Sequence, residues 1–144
     1  MFDRILIVCV GNICRSPAAE SLLKRLFPNK QINSAGIEAV AGRKADDLAI
    51  QVSSNNGFDI QNHKATKLTR EMCASYDLIL VMEKEHLTLL SHLAPEARGK
   101  AFLLGKWLSD AEIPDPYNKS REAFDHVYKL IEQSVNAWSS KIPQ

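Results

Sequence analysis

The chain has 144 residues, 45% of them hydrophobic and 24% charged, a composition that predicts a single globular domain over residues 1–144. Its 18 Lys and Arg residues nearly balance 17 Asp and Glu residues, which argues against binding to nucleic acid or to an anionic membrane surface. No apolar stretch approaches membrane-spanning length, the first apolar run is too short for a signal peptide, and the three cysteines lack disulfide-framework spacing. We therefore expect a cytoplasmic protein without membrane insertion.

The first predicted strand is the apolar run Ile5–Val8, which ends at Cys9. The Gly-Asn pair at 11–12 follows, and both residue types adopt positive φ angles readily, so a tight loop is expected there. Ser16 suits the N-cap of a helix and Pro17 suits its first position. The stretch therefore predicts a strand, a short loop and a helix that begins where the loop closes.

This loop carries a thiol, Cys9, and a guanidinium, Arg15, separated by five residues. Backbone N–H groups that turn inward, together with the helix N-terminus, predict a binding site for a phosphate-like dianion. Such surroundings lower the pKa of a cysteine from about 8.5 to ~3.5–7.5, which would make Cys9 a thiolate nucleophile. Arg15 offers a planar fork that can bind two phosphoryl oxygens. The other loop residues expected around the anion are Val10, Gly11, Asn12, Ile13, Cys14 and Ser16.

Further along the chain, apolar strands alternate with amphipathic helices. The predicted strands are 31–34, 78–82 and 101–104, and the predicted helices are 46–55, a short one from Thr69 to 75, 85–93 and a long last helix capped by Ser120. This alternation predicts an α/β fold, an open four-stranded parallel sheet with helices on both faces. Ligands of such sheets bind outside the carboxyl ends of the strands, and Cys9 is expected at one of those ends.

A phosphoryl transfer to sulfur also needs a proton for the leaving oxygen. Asp115 is the best candidate donor, because it follows the last strand and prolines on both sides restrict how its carboxyl group is presented. Tyr117 could stack against an aromatic substrate ring. The alternative is that Pro-Asp-Pro-Tyr is simply a stiff surface turn, and sequence spacing does not decide between the two.

Two separated motifs carry a resemblance to a known family. They are Cys9-Val10-Gly11-Asn12-Ile13-Cys14-Arg15-Ser16-Pro17 near the amino terminus and Asp115-Pro116-Tyr117 far downstream. Together they resemble the low-molecular-weight protein tyrosine phosphatases over essentially the whole chain. The resemblance implies the phosphotyrosine protein phosphatase I-like fold and hydrolysis of phosphotyrosine.

The same resemblance implies roles for individual residues. Cys9 would form a phosphocysteine intermediate, Arg15 would bind the phosphoryl oxygens, and Asp115 would protonate the leaving phenol and later activate water. Ser16 would donate a hydrogen bond to the Cys9 thiolate. The residues implied to brace the loop are Asn12, Ser34 and His63. The mechanism requires no metal and no other cofactor.

A narrower resemblance points to the substrate. Residues 115–124 and 33–37 resemble the bacterial branch that acts on membrane tyrosine autokinases of capsule and exopolysaccharide synthesis, which implies a phosphotyrosine protein as partner and a monomer or weak dimer. Eukaryotic relatives usually carry an aromatic residue where this chain reads 38–41, and a second tyrosine at the position of Asn118. The departure predicts a more aliphatic rim, with Val40, Ile13 and Tyr117 contacting the substrate ring.

Rival functions make other demands on the sequence. Arsenate reductases of similar architecture use a distant cysteine pair, but the corresponding region here, 77–86, contains no cysteine. Related arginine-phosphate phosphatases carry Thr at the position of Ile13. A non-catalytic phosphotyrosine-binding module would need the loop and Arg15 but not Asp115.

Several residues also have purely structural alternatives. Cys9 could be a buried structural thiol, although that would leave Arg15 and Gly11 without a role. Cys14 could form a reversible disulfide with Cys9 or could simply be a small core side chain. His63 could be an ordinary surface histidine. The three other histidines, which lack metal-ligand partners on their helices, are expected at the surface: His86, His92 and His126.

Overall fold

The computed structural model describes residues 2–144 and contains one four-stranded sheet. The strands are β1 (Arg4–Cys9), β2 (Gln31–Gly36), β3 (Leu78–Val81) and β4 (Ala101–Leu103), all parallel, in the order β2-β1-β3-β4. The α-helices are α1 (Arg15–Leu26), α2 (Asp47–Asn55), α3 (Arg70–Ser75), α4 (Lys84–Leu93) and α5 (Arg121–Ser139), and a 3-10 helix spans Pro95–Lys100. The predicted α/β class and parallel sheet are confirmed.

Alternate residues of the central strand β1 point to opposite faces of the sheet. Ile5 and Ile7 belong to the core shared with α1, α2 and α5, whereas Leu6 and Val8 belong to the core shared with α3 and α4. All four side chains are fully buried. Helices therefore cover both faces, as expected for a parallel sheet, and the carboxyl end of β1 opens toward the loops.

The helix boundaries confirm two predicted caps and correct a third. Thr69 Oγ1 accepts a hydrogen bond from Met72 N, and Ser120 Oγ accepts one from Ala123 N, as their positions predict. Ser16, in contrast, is not an N-cap, because α1 already begins at Arg15. Its hydroxyl is used instead by the loop that precedes the helix.

The tight loop after β1 obtains its left-handed residue from Asn12 (φ 57°), whereas Gly11 has no positive φ and that part of the prediction is wrong. The glycine that the loop does require is Gly36, at the end of the neighbouring strand β2. A Cβ atom at Gly36 would lie 2.5 Å from Val10 O and 2.9 Å from Asn12 N. Only a residue without a side chain lets the loop fold this closely against β2.

Candidate active site

A cavity opens at the carboxyl end of β1, where the predicted ligand site lies. Its lining residues are Cys9, Val10, Gly11, Ile13, Cys14, Arg15, Arg43, Asp115 and Tyr117. The structure thus brings the thiol, the arginine and the aspartate of the two separated motifs to one cavity.

The Cys9 sulfur lies at the buried end of β1, with 2% of the residue exposed. Asn12 N donates a hydrogen bond to Sγ at 3.3 Å, and Ser16 Oγ lies 2.9 Å from the same sulfur. Because Ser16 Oγ already accepts from Asn12 Nδ2 at 2.7 Å, its own hydrogen is free to point at the sulfur. Both neighbours therefore offer hydrogen atoms that can compensate a negative charge on sulfur.

Asn12 is the residue that fixes the shape of the loop. Its side-chain amide donates to Ser16 Oγ and, at 2.9 Å, to Ser34 Oγ, and its Oδ1 accepts from Thr66 N at 2.9 Å. Its backbone carbonyl lies 2.6 Å from His63 Nε2, so this ring nitrogen carries the donated hydrogen. A fully buried residue in a left-handed conformation is thus held by four partners besides Cys9, including Ser34 and His63.

The guanidinium of Arg15 is hydrogen-bonded through Nη1, and its Nη2 lies near Asp115 at the cavity. The residue is only 2% exposed, and Nη1 donates to Glu83 Oε2 at 2.7 Å and to Ile113 O at 2.8 Å. Nη2 lies 3.8 Å from Asp115 Oδ2. Nη1 is thus occupied by fixed partners, whereas Nη2 lies on the side of Asp115, which lines the cavity.

His86 contradicts the predicted surface position, because it is 2% exposed. Its Nδ1 accepts a hydrogen bond from Glu83 N at 3.2 Å, and its Nε2 lies 3.3 Å from Glu83 Oε2. Burial lowers the pKa of His86, and the Arg15 charge lowers it further. The ring is thus a neutral imidazole that folds back over the first turn of α4 and holds the Glu83 carboxylate. His92 and His126 are exposed, as predicted.

Replacing Glu83 by glutamine is expected to lower the free energy of unfolding by about 1–3 kcal/mol, because Arg15 loses its ion-pair partner. Chemical denaturation measures this difference, and saturating phosphate should restore part of it, since the dianion supplies a new counter-charge. Glu112→Gln is the matched control, because Glu112 accepts a hydrogen bond from Lys84 N at the start of the same helix. A Glu83→Gln variant as stable as the parent would mean that the charge of Glu83 is not needed to hold the guanidinium.

Asp115 is at once part of a turn and part of the cavity. Its Oδ1 accepts a hydrogen bond from Tyr117 N at 3.0 Å, which closes a local turn, while the half-exposed carboxyl group lines the cavity. The two alternatives that the sequence left open are therefore compatible, because the stiff turn is what presents the carboxylate.

The rim of the cavity differs from the prediction at Val40. This side chain is 66% exposed and is not among the lining residues, because a turn that joins Arg43 N to Val40 O leaves it toward solvent. Arg43 lines the rim where Val40 was predicted, and its Nη2 donates a hydrogen bond to Tyr117 Oη at 3.0 Å. Ile13 and Tyr117, the other two predicted ring contacts, both line the cavity, and their contact with a substrate ring stays a prediction.

Cys14 lines the cavity as a buried thiol. Burial raises its pKa strongly, and the carboxylates of Asp46 and Asp115 raise it further, so the sulfur keeps its proton. Cys9 and Cys14 are both free thiols in the structure. A reversible disulfide between them stays a prediction.

Within residues 2–144, no cluster of three or more His, Cys, Asp or Glu side chains is arranged to hold a metal ion. No helix in the same part of the chain has the length and apolar character needed to cross a membrane.

Sequence reasoning missed several residues that support the site: Glu20, which accepts a hydrogen bond from Ser34 Oγ, Arg43, Thr66, Glu83 and Ile113. Only Glu83 had a usable signal. It comes directly after the apolar strand at 78–82, so in a parallel sheet a charged residue there reaches the same edge as Cys9. Thr66 and Ile113 act through backbone groups, Arg43 lies in an irregular segment, and Glu20 acts through its side chain from α1.

Comparison with known proteins gives a consistent result. Residues 4–144 match the model of the low molecular weight phosphotyrosine protein phosphatase family. The chain is 50% identical over 142 residues to the low molecular weight protein-tyrosine-phosphatase Wzb of Salmonella typhimurium, which covers 99% of this chain and 95% of that protein.

Two solved structures are also similar over nearly their whole length. The tyrosine phosphatase Wzb from Escherichia coli K30 in complex with sulphate has a TM-score of 0.97 at 53% identity, covering 99% of this chain and 100% of that one. Vibrio vulnificus Wzb in complex with benzylphosphonate has a TM-score of 0.96 at 50% identity, with the same coverage.

Proposed function

Because the chain belongs to the low molecular weight phosphotyrosine protein phosphatases and is a protein tyrosine phosphatase, we propose that it acts through a covalent phosphocysteine intermediate on Cys9. The observation that carries this proposal is the position of the Cys9 sulfur. It lies at the base of the cavity between the backbone N–H of Asn12 and the Ser16 hydroxyl. The loop that carries these groups leads into Arg15 and α1.

In the first step, the Cys9 thiolate attacks phosphorus, a sulfur–phosphorus bond forms, and the bond from phosphorus to the tyrosine oxygen breaks. The leaving oxygen takes a proton from the protonated carboxyl group of Asp115 and departs as a neutral phenol. Arg15 Nη2 and the loop amides bind the remaining phosphoryl oxygens, where negative charge is concentrated during transfer.

In the second step, water attacks the phosphocysteine. The Asp115 carboxylate, now deprotonated, takes a proton from this water, the sulfur–phosphorus bond breaks, and phosphate leaves while the Cys9 thiolate is restored. Both steps use one carboxyl group in opposite directions, which requires that it stay next to the cavity throughout. The hydrogen bond from Tyr117 N to Asp115 Oδ1 supports this requirement.

The substrate ring is proposed to lie between Ile13 and Tyr117. Ile13, in the phosphate-binding loop, is 6% exposed and offers an apolar surface. Tyr117, in the Asp115-Pro116-Tyr117 motif, is 37% exposed. An apolar wall and an aromatic edge suit a phenyl ring better than a charged guanidinium. The loop braces Asn12, Ser34 and His63 keep this arrangement fixed, with the other loop residues enclosing the phosphoryl group.

The rival chemistries lack the groups that they need. Arsenate reductases of similar architecture relay electrons through a cysteine pair far from the loop, but Cys73 is the single cysteine outside the loop here and is fully buried in α3. Simple phosphotyrosine binding would have no use for a carboxylate beside Arg15. Neither rival accounts for Cys9, Arg15 and Asp115 lining one cavity.

The physiological substrate is proposed to be a membrane tyrosine autokinase of capsule or exopolysaccharide synthesis, acted on in the cytoplasm by a monomer or weak dimer. The motif resemblance at 115–124 and 33–37 supports this partner, as does the similarity to the Wzb phosphatases. Three free cysteines suit a reducing compartment.

The direct test is to trap the intermediate. The protein is mixed with an aryl phosphate, quenched in acid and digested, and the Cys9 peptide is examined by mass spectrometry for an added phosphoryl group. We expect this modification on Cys9 together with release of phenol and phosphate. Release of both products at the full rate with no phosphorylated Cys9 peptide would contradict the covalent mechanism.

A further inference from the structure

Arg43 stands at the rim of the cavity and was not expected there from the sequence. It lines the same cavity as Cys9 and Arg15, and its exposed guanidinium donates one hydrogen bond to Tyr117 Oη at 3.0 Å. The guanidinium carbon lies 5.6 Å from the centre of the Tyr117 ring. A guanidinium has five N–H donors, so most of its hydrogen-bonding capacity remains available to a ligand.

The backbone of Arg43 is fixed relative to the phosphate-binding loop. Gly42 N donates to Ala65 O, and Ala65 N donates to Arg43 O, each at 2.8 Å. The next residue, Thr66, donates from its backbone to Asn12 Oδ1. The segment that braces the loop therefore also positions the backbone of Arg43. These hydrogen bonds fix where that backbone lies relative to the catalytic sulfur.

The charge of Arg43 is not neutralised by a close carboxylate. No ion pair found within residues 2–144 includes it, and Asp46 acts on it only as a more distant attractive charge. The adjacent Lys44, in contrast, pairs with Asp47 Oδ1 at 3.1 Å. Among these two neighbouring cations, Arg43 is the one available to an external anion.

We propose that Arg43 binds a carboxylate of the substrate protein close in sequence to the phosphotyrosine, so that the enzyme prefers acid-flanked phosphotyrosines. This inference rests on the proposed function, because it assumes that the phosphotyrosine side chain occupies the cavity. In that position the neighbouring residues of the substrate lie across the rim, within reach of Arg43. The guanidinium can hold a carboxylate in a two-point contact while it still touches Tyr117.

The test compares two phosphotyrosine peptides that differ only in the two residues on each side of the phosphotyrosine, Asp in one and Asn in the other. We expect the parent enzyme to have about threefold to tenfold higher kcat/KM for the Asp peptide, the range of a solvent-exposed charge-assisted contact. Arg43→Gln should bring the ratio close to one. The preference should also shrink as salt is raised.

Two variants separate this role from its alternatives. Lys44→Gln removes the same charge one residue away and should keep the preference, since Lys44 does not line the cavity. Tyr117→Phe removes the phenolic oxygen that Arg43 contacts but keeps the ring, and it should also keep the preference.

The ratio of kcat/KM for the two peptides tests the role of Arg43 separately from the catalytic mechanism. No preference in the parent enzyme, or a preference that survives Arg43→Gln, would overturn it. Equal loss in Lys44→Gln would also overturn it, because the effect would then come from net charge and not from one contact. If the parent enzyme hydrolyses neither peptide nor 4-nitrophenyl phosphate, the proposed function itself fails.

Discussion

Replacing Cys9 by serine is expected to lower kcat for 4-nitrophenyl phosphate by at least about four orders of magnitude, the scale seen when a catalytic nucleophile is removed. The environment of the sulfur explains why a hydroxyl cannot take over. Asn12 N and the Ser16 hydroxyl are both donors to this position, so they compensate an anion but accept no proton. A serine hydroxyl would therefore stay protonated and unreactive.

The Cys9→Ser variant should nevertheless still bind the product. Arg15 and the loop amides are unchanged, so titration calorimetry with phosphate should show binding even though turnover is lost. The matched control is Cys73→Ser, which makes the same replacement in α3, where the thiol is fully buried. It should cost some stability but leave kcat within about twofold of the parent value. Turnover by Cys9→Ser near the parent rate would end the mechanism.

The site residues closest to one another along the chain could be predicted from the sequence. Cys9 and Arg15 lie on one strand-loop-helix unit, so their meeting requires only local geometry that the residue types already favour. The sheet class follows equally directly from apolar runs of strand length. Asp115 could be proposed as the acid but not assigned, since its distance to the loop depends on how the last strand pairs.

The contact between Arg15 and Glu83 could not be predicted from the sequence, because it depends on the order of the strands in the sheet. Glu83 is 68 residues away in sequence, and it meets Arg15 because β3 pairs directly with β1. His86 shows the same limit, since its local contacts with Glu83 in the first turn of α4 do not reveal that the Arg15 guanidinium, from a distant part of the chain, lies close enough to lower its pKa. Tertiary contacts, not local propensity, bury that ring.

The rim and the start of α1 show local preferences that were overridden. Ser16 is a good N-cap residue, but its hydroxyl serves the Cys9 sulfur and the helix begins without a side-chain cap. Val40 is apolar and was expected to face the ring, yet a four-residue turn exposes it and presents Arg43 instead. At Ser16 a contact within the candidate site overrides the capping preference, and at Val40 a local turn overrides the apolar character of the side chain.

Replacing Asp115 by asparagine is expected to lower kcat/KM for phosphotyrosine by about 10²–10⁴-fold, the usual contribution of a positioned general acid. The tyrosine phenol has a pKa of about 10, so it leaves poorly as an anion. Asparagine keeps the size of the side chain and an oxygen that can accept from Tyr117 N. The turn should therefore survive, and the loss should report the missing proton.

The leaving group provides the diagnostic comparison. 4-Nitrophenol is far more acidic than the tyrosine phenol and can leave without a proton, so kcat/KM for its phosphate ester should fall much less in Asp115→Asn. The second step should still be slowed, because the base that activates water is absent. Stopped-flow measurements should then show a rapid burst of nitrophenol, close to one equivalent per enzyme, followed by slow turnover.

A second aspartate in the same loop provides the control for Asp115→Asn. Asp110→Asn makes the same change at an exposed position of the same loop and should leave both substrates unaffected. Among residues 2–144, Asp115 supplies the only carboxylate that lines the cavity, so no second acid is placed to substitute for it. Equal losses in kcat/KM on both esters, without a burst, would mean that the carboxylate acts only by positioning Arg15 and that the proton comes from solvent.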